Sequence, residues 1–177
     1  MKQGPLFSTA RWIGLLFGGV FTGFLVCVLV LENSLRDYDG KVYTQVRQVE
    51  LDSLDTLASA TLIPTIIATA ILVIGALKAK TKNRDLWIPL AALALLLLIL
   101  ILTVIVNLPI NADQRDWTVT APPSDWADVR DTWQTSHAVR TLAALLAFGL
   151  LAYSAITRKT PTTPTTTPTP APLSARS

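Results

Sequence analysis

The single histidine of the chain, His137, is the one side chain whose ordinary pKa suits proton exchange near neutral pH. Arg140 follows three residues later, a spacing that puts a base and a fixed cation on one face of a helix. Trp126 and Trp133 precede them in steps that keep the same face and add two flat ring surfaces. Asn107 and Asn111, one turn apart, offer two amides a little earlier in the chain. A base, a cation, amide donors and aromatic walls are the parts of a site for proton abstraction or for binding a planar ligand. Each group also has a purely structural use. Trp117, Trp126 and Trp133 suit a membrane edge, Arg140 can snorkel or pair with Asp131, Asp128 or Glu32, and the asparagines can cap a helix end. No metal centre is expected, because His137 has no partner at ligand spacing and Cys27 stands alone.

These residues must be held by helices in a bilayer. Of the 177 residues 51% are hydrophobic and only 15% charged, and the mean hydropathy is +0.47, too apolar for an ordinary soluble domain. Uncharged runs occupy 12–31, 56–77, 86–112 and 141–157, against the roughly 20 apolar residues that a crossing needs. The expected architecture is all-α, a four-transmembrane-helix bundle with spans at about 12–31, 57–77, 86–108 and 138–157. The last run alone gives roughly 25 Å of helix, so it must draw in residues before Thr141. His137 and Arg140 are thereby placed at the membrane boundary. The first span is too long for the apolar core of a secretory leader and is read as retained.

Basic residues cluster before span one, in the link Lys78–Arg84 and at Arg158–Lys159, while the other two loops carry most of the acid. The positive-inside bias puts both termini and the basic link in the cytoplasm and the stretch from Asn107 to Arg140 outside. Topology accounts for these basic residues, so nucleic-acid binding is not expected. Transport is disfavoured as well, since no charge lies deep in a span.

Along the chain, Gly14, Gly18, Gly19 and Gly23 give two small-xxx-small spacings for close helix packing. Val42, Val46, Val49, Leu54 and Leu57 predict a short amphipathic helix in the first outer loop, running into span two and covering the mouth of the bundle. Glu32, at the exit of span one, can point into that mouth, but a carboxylate at a helix end is more often solvated. Pro64 should kink span two or mark its start, with Thr61, Thr65 and Thr69 sharing a face as interhelical glue. Pro109 should kink or end span three just after Asn107. Ser124 is a candidate N-cap for a helical extension before the last span. On that helix Trp126, Arg130, Trp133, His137, Arg140, Ala144, Ala147 and Leu151 form one stripe facing the bundle. The membrane domain is taken as 1–159, and 160–177 as a disordered Thr/Pro-rich tail.

Three elements together carry a family resemblance: Asn107-Leu108-Pro109-Ile110-Asn111, then Asp125-Trp126, then Trp133-Gln134-Thr135-Ser136-His137-Ala138-Val139-Arg140-Thr141 before an alanine-rich helix. In that order they resemble the anthrone oxygenase-like family, small four-helix integral membrane proteins long described as a domain of unknown function. The likeness spans roughly Arg11 to Thr157, and the segment from Val42 to Glu50 is similar to bacterial members, which implies a bacterial plasma membrane. The few members with an assigned activity oxidise polyketide anthrones to anthraquinones. What the resemblance implies is a cofactor-free oxygenase for a lipophilic anthrone- or quinone-like substrate. His137 would be the base, Arg140 with Asn107 and Asn111 the oxyanion partners, and Trp126 and Trp133 the walls. The other class of function is a non-enzymatic bundle in which the same cluster is a structural clasp or a small-molecule binding site. A cavity beside His137 favours the first, a filled network the second.

Overall fold

A computed structural model describes residues 4–157; the Thr/Pro-rich tail expected over 160–177 lies outside them. Among the described residues every regular element is helical. Helix α1 runs Pro5–Ser34 and closes in a 3-10 turn, Leu35–Asp37. Helix α2 is Gly40–Lys78, α3 is Arg84–Leu102, a π-helical turn covers Thr103–Asn107, α4 is Leu108–Arg115 and α5 is Trp126–Ile156. Taking α3 through α4 as one rod, four helices are long and apolar enough to cross a bilayer. Their outward faces carry exposed Leu16, Ile67, Ile101, Ile105 and Leu142, which suits lipid and not water. The protein is an integral membrane protein. Trp12 and Trp87, exposed near the end of the bundle that carries the basic link, sit where interfacial tryptophans belong.

Small residues set the helix spacing. A methyl group on Gly14 would meet Ala68 Cβ at 3.7 Å, and one on Gly18 would meet Thr65 Cγ2 at 3.3 Å, so the α1 backbone lies directly on α2. Gly19 leaves the same kind of room for Phe148 of α5, whereas Gly23 faces open space. Thr61, Thr65 and Thr69 are buried along α2. Each hydroxyl donates to the carbonyl four residues earlier in its own helix, at 2.7, 2.8 and 2.7 Å, so they serve as small compatible surfaces and not as bonds between helices. The central core is Phe21, Leu25, Leu62, Ala92, Leu96, Ile99 and the Ala143–Ala144–Ala147–Leu151 face of α5.

Several local expectations need correction. The amphipathic segment after residue 40 exists as the first turns of α2, but polar side chains take its inner face, with Val46 and Leu54 half-buried beside them. Val49 is 63% exposed and Val42 and Leu57 face outward, while Tyr43, Thr44, Arg47 and Glu50 are buried. At 39 residues α2 is about 58 Å long, nearly twice the hydrocarbon thickness of about 30 Å, so it projects well beyond the membrane at one end. Pro64 lies inside this helix and does not start it. Pro109 does not end span three either. It occupies the first turn of α4, where a missing N–H costs least, and the π-turn just before it widens the backbone where its ring would press on the preceding turn. Asp125, not Ser124, holds the N-cap position of α5, and it makes no side-chain capping bond.

Candidate functional site

The polar end of the bundle is built around Arg47, 2% exposed and carried inward by α2. Its Nη1 lies 2.5 Å from Glu50 Oε2 and 3.0 Å from Glu32 Oε1. Its Nε donates to Gln114 Oε1 and its Nη2 to Asn111 Oδ1, both at 3.1 Å. Its guanidinium also rests over the Trp133 ring, 4.1 Å from the centroid. One cation thus gathers three helices and α4. A buried charge is tolerated only when paired and hydrogen-bonded in this way, because removing an ion from water costs several kcal/mol. Glu32, expected in solvent, is 1% exposed, and Gln134 Nε2 donates to both its backbone oxygen at 2.7 Å and its Oε2 at 3.0 Å. Gln114 donates in turn to the Tyr43 hydroxyl at 3.1 Å.

The residues singled out in the sequence hang from this network. Trp133 donates from Nε1 to Asn111 Oδ1 at 2.7 Å and stacks on His137, with centroids 4.8 Å apart and planes 8° from parallel. Asn107 accepts from Ser136 at 2.8 Å and donates to the Trp133 carbonyl at 3.4 Å, which fastens the π-turn to α5. Asn107 and Asn111, one α-turn apart, both point inward across the proline, and the π-turn sets how that face lies relative to α3. His137 Nε2 lies 3.1 Å from the Leu25 carbonyl. A carbonyl only accepts, so the proton sits on Nε2 and the lone pair is on Nδ1, which has no partner. Arg140 is buried too, and none of Asp131, Asp128 and Glu32 pairs with it: Glu32 belongs to Arg47, and Asp131 to Arg36 and Arg130.

Beneath the network lies a cavity of about 490 Å³ between α1, α2, the π-turn with α4, and α5. Arg47, Glu50, Asn107, Asn111, Trp133, His137 and Arg140 line its polar end, and Phe21, Phe24, Leu25, Leu62, Ile63, Leu100 and Val104 its apolar end. That volume lies in the range of small-molecule sites, and the mixture of apolar wall with a few convergent polar groups is typical of them. Five of the six sequence-derived candidates therefore share one cavity. Trp126 is the exception. It packs on Tyr43 with ring centroids 5.6 Å apart, covers Gly40, where a methyl group would come within 2.9 Å of the indole, and lies under Arg130. Trp117 is likewise buried, against Tyr43, and donates to Asp113 Oδ2 at 3.0 Å.

Sequence reasoning missed Arg47, Glu50 and Tyr43 as site residues and misplaced Glu32. A signal was present, since Tyr43, Arg47 and Glu50 follow steps of four and three and so form a polar stripe on the face away from Val42 and Val49. Among the described residues no group of three or more His, Cys, Asp or Glu side chains is arranged to hold a metal ion.

The family model described as anthrone oxygenase matches residues 56–150, a little over half of the chain, and takes in Asn107, Asn111, Trp126, Trp133, His137 and Arg140. Searches of curated proteins and of solved structures returned no match. With that match and the four membrane-length helices, the protein belongs to the anthrone oxygenase family.

Proposed function

We propose that the protein is a membrane oxygenase that converts the activated methylene of a lipophilic aromatic ketone to a carbonyl, using dioxygen and no bound cofactor. The observation that carries this reading is the cavity whose apolar walls meet His137, Arg140 and Asn107 at one end. His137 Nδ1 accepts a proton from the methylene, and the electrons move to the ketone oxygen as an enolate. Fixed donors in a site shielded from water stabilise that charge strongly, the role given to Arg140 and the Asn107 amide. The electron-rich carbon reduces dioxygen and bonds to it as a peroxide, the proton returns from His137, and loss of water leaves the new carbonyl. Each turnover thus consumes one methylene and one dioxygen and yields one ketone and one water. The basic link and basic ends support both termini lying in the cytoplasm, in a bacterial plasma membrane, with the polar end of the cavity outward.

The test is oxygen uptake by the purified protein with a model anthrone. Uptake above the spontaneous rate is expected, and uptake equal to it would overturn the reading. The other reading, a non-enzymatic bundle with a structural clasp, draws on the density of the Arg47 network, which engages Asn111 and Trp133 in bonds that have structural value by themselves. It predicts no uptake and a ligand-free cavity.

A further inference from the structure

Arg140 is 6% exposed and lines the cavity, and its Nε has no hydrogen-bond partner. Among the described residues no carboxylate lies within ion-pair distance of its guanidinium, and no side chain or carbonyl accepts a hydrogen bond from it. The carboxylate that acts on it through space, Asp55, is already engaged by Arg115 at 2.6 Å and by the Asn111 amide at 3.4 Å. The contrast with Arg47 is direct: one buried guanidinium has two carboxylates, two amide oxygens and a ring, the other has none of these. A buried, permanently charged group without a counter-ion is among the costliest arrangements a protein can hold. In this case the uncompensated cation faces an empty volume.

The route into that volume is also marked. The exposed residues of its lining are Thr56, Ser59 and Ile63 on α2 and Val104, Leu108 and Arg115 on the π-turn and α4; those from α1 and α5 are buried or half-buried. The mouth therefore opens between α2 and α4. At the loop end Arg115 bridges it, reaching the Leu51 carbonyl at 3.2 Å as well as Asp55. On the other side its rim is Ile63, Val104 and Leu108, residues that suit lipid.

We infer that the cavity takes a lipophilic aromatic acid, bound as the monoanion, which enters from the bilayer between α2 and α4 and places its ionised oxygen on Arg140 as the counter-ion that the protein lacks. This deepens the proposed function, on whose cavity it rests: the substrate's own charge neutralises Arg140 before any proton is abstracted, and the enolate oxygen formed later shares the remaining guanidinium N–H donors with the Asn107 amide. The apolar body lies along Phe21, Leu25, Leu62 and Leu100.

The experiment measures binding without turnover, so its failure is separable from a failure of the oxygenase reading. Full-length protein in nanodiscs of zwitterionic lipid is titrated with anthraquinone-2-carboxylate and with the uncharged anthraquinone-2-carboxamide, following tryptophan quenching against empty discs. The carboxylate is expected to bind at least about tenfold more tightly than the amide, as loss of a buried charge pair implies. Arg140→Gln should abolish that preference, bringing the carboxylate's affinity down to that of the amide, with a thermal unfolding curve reporting an intact fold, and Arg140→Lys should retain part of it. Equal affinity of the two probes for the wild type, or a preference that survives Arg140→Gln, would overturn the inference. So would displacement of the carboxylate by phosphatidylglycerol in the disc, which would make a lipid head group the anion.

Discussion

The Trp133 indole and the His137 imidazole lie nearly parallel, 4.8 Å apart, one turn from each other on α5. The same indole carries Arg47 over its ring and donates to Asn111. The imidazole is thus oriented by a ring that is itself fixed by the polar network, and its Nε2 is committed to the Leu25 carbonyl. Its remaining nitrogen is the free one. Order in the network and availability at the base are two ends of one contact chain.

Replacing His137 by Ala removes the base and leaves the Trp133–Asn111 bond. Turnover of a model anthrone should fall by about 10²–10⁴-fold, the usual worth of a positioned base. The check is oxygen uptake beside a thermal unfolding curve; a folded variant with undiminished uptake would remove His137 from the chemistry.

Arg47→Ala leaves Glu32 and Glu50 buried and unpaired, and the cost should be about 3–5 kcal/mol. Adding Glu32→Gln and Glu50→Gln should recover much of that loss, because the orphaned charges go with the cation. Unfolding of the three proteins in mixed micelles decides it. If the triple variant is no more stable than Arg47→Ala, charge burial is not what the network manages.

Trp126 lies off the cavity, so Trp126→Ala should cost about 1–3 kcal/mol of stability through its lost packing on Tyr43 and Gly40. Affinity for a cavity probe should not change. A weakened probe would return Trp126 to the binding site.

Ile63→Trp or Val104→Trp puts an indole in the mouth between α2 and α4 without touching His137 or Arg140. Stopped-flow binding of a membrane-partitioned probe should slow by about tenfold on the association side. Unchanged association would mean that ligands enter elsewhere.

The legibility of the sequence varied with the surroundings of each helix. In α5 the stripe is buried from Trp133 through His137, Arg140, Ala144 and Ala147 to Leu151, because the polar groups and the small packing residues repeat with one period, whereas Trp126 and Arg130 at its start are only half-buried. Part of the family motif sits on that stripe, and the matched region, residues 56–150, takes in all of it but Leu151. The outer half of α2 misled for a physical reason. An amphipathic helix is usually oriented by assuming water on one side and a dry core on the other. Here the inner side holds Arg47, Glu32 and Glu50, so Val42 and Val49 turn away from it while Val46 stays at its flank against Tyr43 and Trp117. Glu32 was misplaced for the same reason, since nothing in its own helix shows that Arg47 awaits it. The π-turn had no sequence mark beyond Pro109, although the spacing of Asn107 and Asn111 by itself puts both on one face.

That π-turn gives the chain slack in length at one point. A π-turn accommodates one residue more than the α-helical path beside it. Deleting Val104 would let Thr103–Asn107 relax to α geometry with every later side chain kept in its direction relative to α3. The same loss at Ala112, inside α4, has no slack to draw on. Gln114 would swing by about 100° relative to Asn111, and Arg47 would lose one of the two amides that hold it through a change that no count of apolar residues would register.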